Sequence, residues 1–172
     1  MFTQLFIDLR SFFEAGGSVL WPILAVTILL WTLIIERWWY MFLIFPRRRD
    51  EAIKTWEARS DTTSWYARQI REKMLSEVGI ETRRGIPLIK TLVGLIPLLG
   101  LLGTVTGMVQ VFEVLASLGS TNAQAMAHGV STAIIPTMSA MTVAVFSIYF
   151  VYALEKRVRE KDEELEDELR YF

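Results

Sequence analysis

Residues 91 to 112 read TLVGLIPLLGLLGTVTGMVQVF, twenty-two positions without a charge. At about 1.5 Å per helical residue the run is roughly 33 Å long, enough to cross a hydrocarbon core. Yet it carries Pro97, Gly100, Gly103, Gly107, Thr104 and Thr106. Glycine and proline weaken an isolated helix, and hydroxyls gain little from lipid. Gly100, Gly103 and Gly107 recur at steps of three and four, so they share one face. Small residues at that spacing let two helix backbones approach closely, as in the GxxxG pair Gly103–Gly107. Pro97 frees a carbonyl and permits a kink where neighbours satisfy the released groups. This helix is expected to pack against protein rather than lipid.

Two further blocks lack charge: 19–35 (VLWPILAVTILLWTLII) and 129–154. The first continues past Glu36 and Arg37, read as an interfacial charge pair, into WWYMFLIF. The pattern predicts an all-α chain with three transmembrane helices and helical extensions into the cytoplasm. Its expected parts are an outer-side interfacial helix over 1–18, spans over 19–45, 87–118 and 129–154, a cytoplasmic helical loop over 46–86, an outer loop over 119–128 and a cytoplasmic tail helix over 155–172. Phe2, Leu5, Phe6, Leu9, Phe12 and Phe13 fall at helical spacing, which suits a helix in the interface plane, with a simple extension of the first span as the alternative. No basic region precedes the first block, so it reads as a retained span rather than a signal peptide.

Lysine and arginine set the expected orientation. Ten lie between Pro46 and Pro87 and five follow Glu155, against Arg10 alone at the N-terminus and none from Ala116 to His128. The N-terminus and second loop are therefore expected outside, the first loop and the tail in the cytoplasm. Within the first loop, Tyr66, Ile70, Met74 and Val78 recur every fourth residue as one face, and Gly79 stands where a helix C-cap would. In the tail, Leu154, Val158, Leu165 and Leu169 form a heptad-like stripe broken at Asp162. That stripe suits either a solvated helix end or a helix bundle in an oligomer.

The third span carries Ser131, Thr132, Pro136, Thr137, Ser139, Thr142 and Ser147. Ser131, Thr132, Ser139 and Thr142 fall within an arc of about 100°, with Thr137 off it. Single hydroxyls commonly bond back to the i−4 carbonyl, but the set with Thr104 and Thr106 reads as a polar interior surface. No acid or base lies in the middle of any span.

The absence of cysteine excludes disulfides and thiolate metal sites, and His128, expected on the outer loop, cannot form a histidine cluster alone. No metal site, cofactor or nucleic-acid partner is expected, and no nucleophile–base pair or phosphate loop argues for an enzyme.

The stretch IPLLGLLGTVTG, residues 96 to 107, resembles the second-span signature of the MotA/TolQ/ExbB proton-channel family. GGSVLWPILAVTILLWTLIIERWWY and GVSTAIIPTMSAMTVAV resemble its first and third spans, with a short cytoplasmic loop like the compact ExbB variants. The resemblance implies a ring-like homo-oligomer, a pentamer, in a bacterial inner membrane. Its second and third helices would line an apolar lumen around an ExbD-like single-span partner whose intramembrane aspartate carries the proton. Proton flow would energise a TonB-like protein. The family threonines fall on Thr104 and Thr137, so the ion pathway is expected to include Thr104, Thr137, Thr132 and Ser131. Thr132 stands where ExbB proteins often have glutamate, and Pro136 is not the usual residue. A TolQ-like role in envelope function, a non-conducting scaffold and sodium coupling are the alternatives.

Overall fold

The computed structural model describes residues 2–61, 64–118 and 123–169, and no strand occurs among them. The helices are α1 (Phe2–Gly16), α2 (Leu20–Trp39), α3 (Phe45–Glu57), α4 (Trp65–Arg83), α5 (Ile86–Leu118) and α6 (Ala123–Glu168). Three stretches, Leu20–Glu57, Trp65–Ser117 and Met126–Glu168, hold helix long and apolar enough to cross a membrane. α2 runs into α3 through a π-helical stretch, Tyr40–Ile44. Pro46 explains it: the ring lacks an N–H for the Phe42 carbonyl and crowds it, and a wider turn relieves the clash.

The chain divides into two compact units. The first comprises Met1–Trp31 and Thr91–Ile148. Here α5 and α6 run antiparallel along a seam of small residues. A Cβ added at Gly100 would lie 2.7 Å from the Ala140 Cβ, at Gly103 2.6 Å from the Pro136 Cβ, and at Gly107 2.5 Å from the Ala133 Cα. The α6 side of the seam is Ala133, Pro136 and Ala140, all buried. The glycine face therefore meets protein, and Pro136 nests on Gly103. α5 continues helically through Pro97. α1 ends at Gly17, whose φ of +72° turns the chain into α2. Phe13 of α1 packs on Trp21 at 5.0 Å. The side chains of Phe2, Leu5, Phe6 and Leu9 lie outside the described residues.

The second unit comprises Thr32–Lys90 and Tyr149–Phe172. Its core is Trp56, Ala67, Leu165 and Leu169, with Ile53, Met74, Leu75 and Val78 packed around it. The tail stripe is thus covered within its own chain, not left to solvent. Its break at Asp162 is filled by Arg83, whose guanidinium donates at 2.9–3.0 Å. Arg71 donates to the carbonyls of Leu169 at 2.5 Å and Glu166 at 2.8 Å, satisfying the end of α6. Arg49 pairs with Glu168 beside it.

Three expectations need correcting. Gly79 lies inside α4, and the turn falls at Gly85 with φ +83°, because Ile80–Arg83 continue the helix. Tyr66 is exposed and Ala67 takes its place in the core, since steps of four drift about 40° each round a helix. His128 lies in α6 rather than a loop, because the Ala-rich stretch from Ala123 already forms helix. Residues 119–122 of the expected outer loop lie outside the described residues.

Three outcomes follow. Gly94 has nothing within 4 Å of an added Cβ, whereas Gly107 has backbone. Gly94→Ala should therefore keep or raise the thermal midpoint in detergent, by about 0.5–1 kcal/mol of helix propensity, while Gly107→Ala lowers it; equal midpoints would contradict the seam. Arg71→Gln should speed amide exchange over residues 160–169 without altering exchange in the spans. Burial raises the Asp162 carboxyl pKa more than Arg83 lowers it. The folded carboxyl holds its proton more tightly than the unfolded one, so this group favours folding as pH falls and opposes it above the carboxylate range. Asp162→Leu should raise the midpoint at pH 7.5 and remove that pH-dependent increment; a lower midpoint would show the pair is net stabilising.

Candidate ion-pathway face

Each hydroxyl on the seam helices must find an acceptor, because lipid offers none. Most bond back along their own helix: Thr132 to the His128 carbonyl at 3.0 Å, Ser139 to Ile135 at 2.8 Å, Thr142 to Met138 at 2.8 Å and Ser147 to Val143 at 2.7 Å. Thr104 donates to Leu101 at 2.7 Å, and Thr106 to Leu102 and Gly103 at 3.0 Å. Thr137 differs. Its hydroxyl crosses the seam and donates to the Gly100 carbonyl at 2.9 Å.

The α1–α2 turn shows which side of the seam each residue occupies. Added Cβ atoms at Gly103, Gly17 and Gly16 would meet Val19, Thr132 and Ile135 respectively, at 3.6, 3.2 and 3.1 Å. At 100° per residue, Thr104 lies about 40° round α5 from Gly100, away from Gly103. Thr137 lies about 60° round α6 from Ala140, away from Thr132. Thr104 and Thr137 therefore flank the seam on the side opposite the α1–α2 turn. Around them stand exposed Leu101, Val105 and Met108 of α5 and Ile134, Met138 and Met141 of α6.

Thr132 does not join that face. Thr132 lies in a small hollow with Gly17, Ser18, Thr106 and Gln110 beside the α1–α2 turn, whereas Ser131 is exposed and lies about 20° round α6 from Met138, at the margin of the Thr104–Thr137 side. Of the four residues expected along one ion path, Thr132 is thus separated from Thr104 and Thr137 by the seam, as the helical arc already foreshadowed for Thr137.

Glu36 and Arg37 touch only at 3.5 Å. Arg37, with 12% of its side chain exposed, instead reaches the Glu81 carbonyl at 3.4 Å and covers Gly85. It belongs to the α4–α5 turn. The sequence reading missed this, and also missed the seam role of Pro136. The small residues Ala133, Ala140 and Ala144 at seam spacing were the available signal. Among the described residues no group of acidic or histidine side chains could hold a metal.

The chain is 30% identical to a Synechocystis sp. biopolymer transport protein described as ExbB-like 1, over 79% of this chain and 66% of the relative. It is 27% identical to a second Synechocystis protein described as ExbB-like 3, over 79% of this chain and 80% of the relative. The chain thus spans just under two thirds of the first relative's length. No solved structure matches it. Residues 46–167, which include α3 to α5 and nearly all of α6, match the MotA/TolQ/ExbB proton channel family. With its three apolar spans and close-packed α5–α6 pair, the chain is a multi-pass membrane protein of the ExbB type and belongs to that family.

Proposed function

We propose that the chain is a stator subunit that uses the proton motive force, with an ExbD-like single-span partner, to energise a TonB-like protein. The observation that carries this reading is the Thr104–Thr137 face. It is broad, apolar and exposed in the single subunit, and its polar atoms are hydroxyls bonded to backbone carbonyls. Such a face suits the wall of a lumen that holds another helix. It carries no carboxyl group of its own, so an acid on the partner would complete the proton path. Five copies around two partner helices is the arrangement the family resemblance favours. The lysine and arginine bias supports an inner-membrane subunit with its N-terminus periplasmic and its C-terminus cytoplasmic. Thr132, on the other side of the seam, belongs to packing in this reading.

The two threonines make the reading testable because their hydroxyls are bonded differently. Thr104→Val removes a bond within α5 and should leave the thermal midpoint unchanged. Thr137→Val removes a bond between helices, worth about 0.6 kcal/mol and at most about 1.7, and should lower it. Both should reduce proton-motive-force-dependent uptake of a ferric siderophore by more than tenfold, with membrane level and assembly retained. Normal uptake in an intact Thr104→Val complex would contradict a hydroxyl-lined path.

A further inference from the structure

The second unit contains a hollow of about 550 Å³ between the start of α5 and α6, lined by Arg83, Ile86, Pro87, Lys90, Glu155, Val158 and Arg159. Lys90 is the last charge before the uncharged run 91–112. The hollow therefore lies where a membrane span ends, at the depth of phospholipid headgroups.

Three cations face one acid there. Glu155 is taken by Lys90 at 2.5 Å. Arg83 is engaged with Asp162. Among the described residues the Arg159 guanidinium has no ion-pair or hydrogen-bond partner, and it is exposed to the hollow. Subtracting the two neutralised pairs leaves one whole positive charge, a planar donor fork suited to a phosphate. Ile86, Pro87 and Val158 supply an apolar wall beside it. The neighbouring larger hollow, which shares Arg83 and Pro87, also carries Glu72 and Glu166, and so is a poorer place for an anion.

We propose that the smaller hollow binds the headgroup of an anionic phospholipid, with its phosphate on Arg159 and its glycerol against Ile86, Pro87 and Val158. Basic pockets between helices at this depth suit such headgroups. A free phosphate would present the same anion, but only a lipid uses the apolar wall and the position at the end of a span.

The test is the thermal midpoint of the full chain in a neutral detergent with added phosphatidylglycerol, phosphatidylcholine or inorganic phosphate. Phosphatidylglycerol should raise the midpoint by several degrees and phosphatidylcholine by less than half as much. Arg159→Gln should abolish the difference, while Arg47→Gln, outside the hollow, keeps it. Equal shifts from the two lipids, or a preference that survives Arg159→Gln, would overturn the site. Loss of the preference in Arg47→Gln as well would reduce it to general charge attraction and overturn it too. Inorganic phosphate alone reproducing the full shift would overturn the lipid as the occupant.

Discussion

The backbones of α5 and α6 touch where Gly107 meets Ala133, and little in the first unit is free once that contact is made. Helices in lipid gain no hydrophobic energy by associating, so attraction has to come from close atomic contact. Glycine on one helix and alanine or proline on the other give that contact. The same register that sets Gly107 on Ala133 sets Gly103 on Pro136 and Gly100 on Ala140. Thr137 is thereby brought within reach of the Gly100 carbonyl. A residue larger than glycine at any of these points would part the helices and release that bond.

The two units solve the burial problem by different means. In the first, hydroxyls are satisfied by carbonyls, and the seam is closed by shape. In the second, an apolar cluster around Trp56 and Leu165 is built as in a soluble domain, and charges finish the ends of its helices. Arg71 closes α6, Arg37 closes the turn between α4 and α5, and Arg83 fills the gap that Asp162 leaves in the apolar stripe. Asp162 is the one acid in that stripe, and its burial beside the apolar cluster is partly offset by the Arg83 guanidinium.

The spans were legible because length and lack of charge suffice to recognise them, and the glycine face because three positions at steps of three and four leave little freedom. Pro136 was harder to read. Its ring faces Gly103, which only the size pattern of Ala133, Ala140 and Ala144 on its own helix could reveal. The hydroxyl arc misled for a related reason: polarity marks residues that satisfy themselves along their own helix, as Thr132 and Thr142 do. It does not mark the side of the seam they occupy. That depends on where the α1–α2 turn docks. The Leu154–Leu169 stripe read equally as a solvated helix end or a bundle in an oligomer, and the surface that covers its end lies in the same chain.

The chain has no cysteine, so the seam register is open to a direct measurement. A Cβ on Gly129 would lie 3.5 Å from the Val111 Cβ, within the range a disulfide spans. Val111→Cys with Gly129→Cys, oxidised in native membranes, should form an intrachain bond rapidly, while Val111→Cys with Thr132→Cys should not. An intrachain bond confined to the first pair is the result expected if α5 and α6 of one subunit meet in this register. Cross-linking between chains instead, or equal bonding in both pairs, would contradict it.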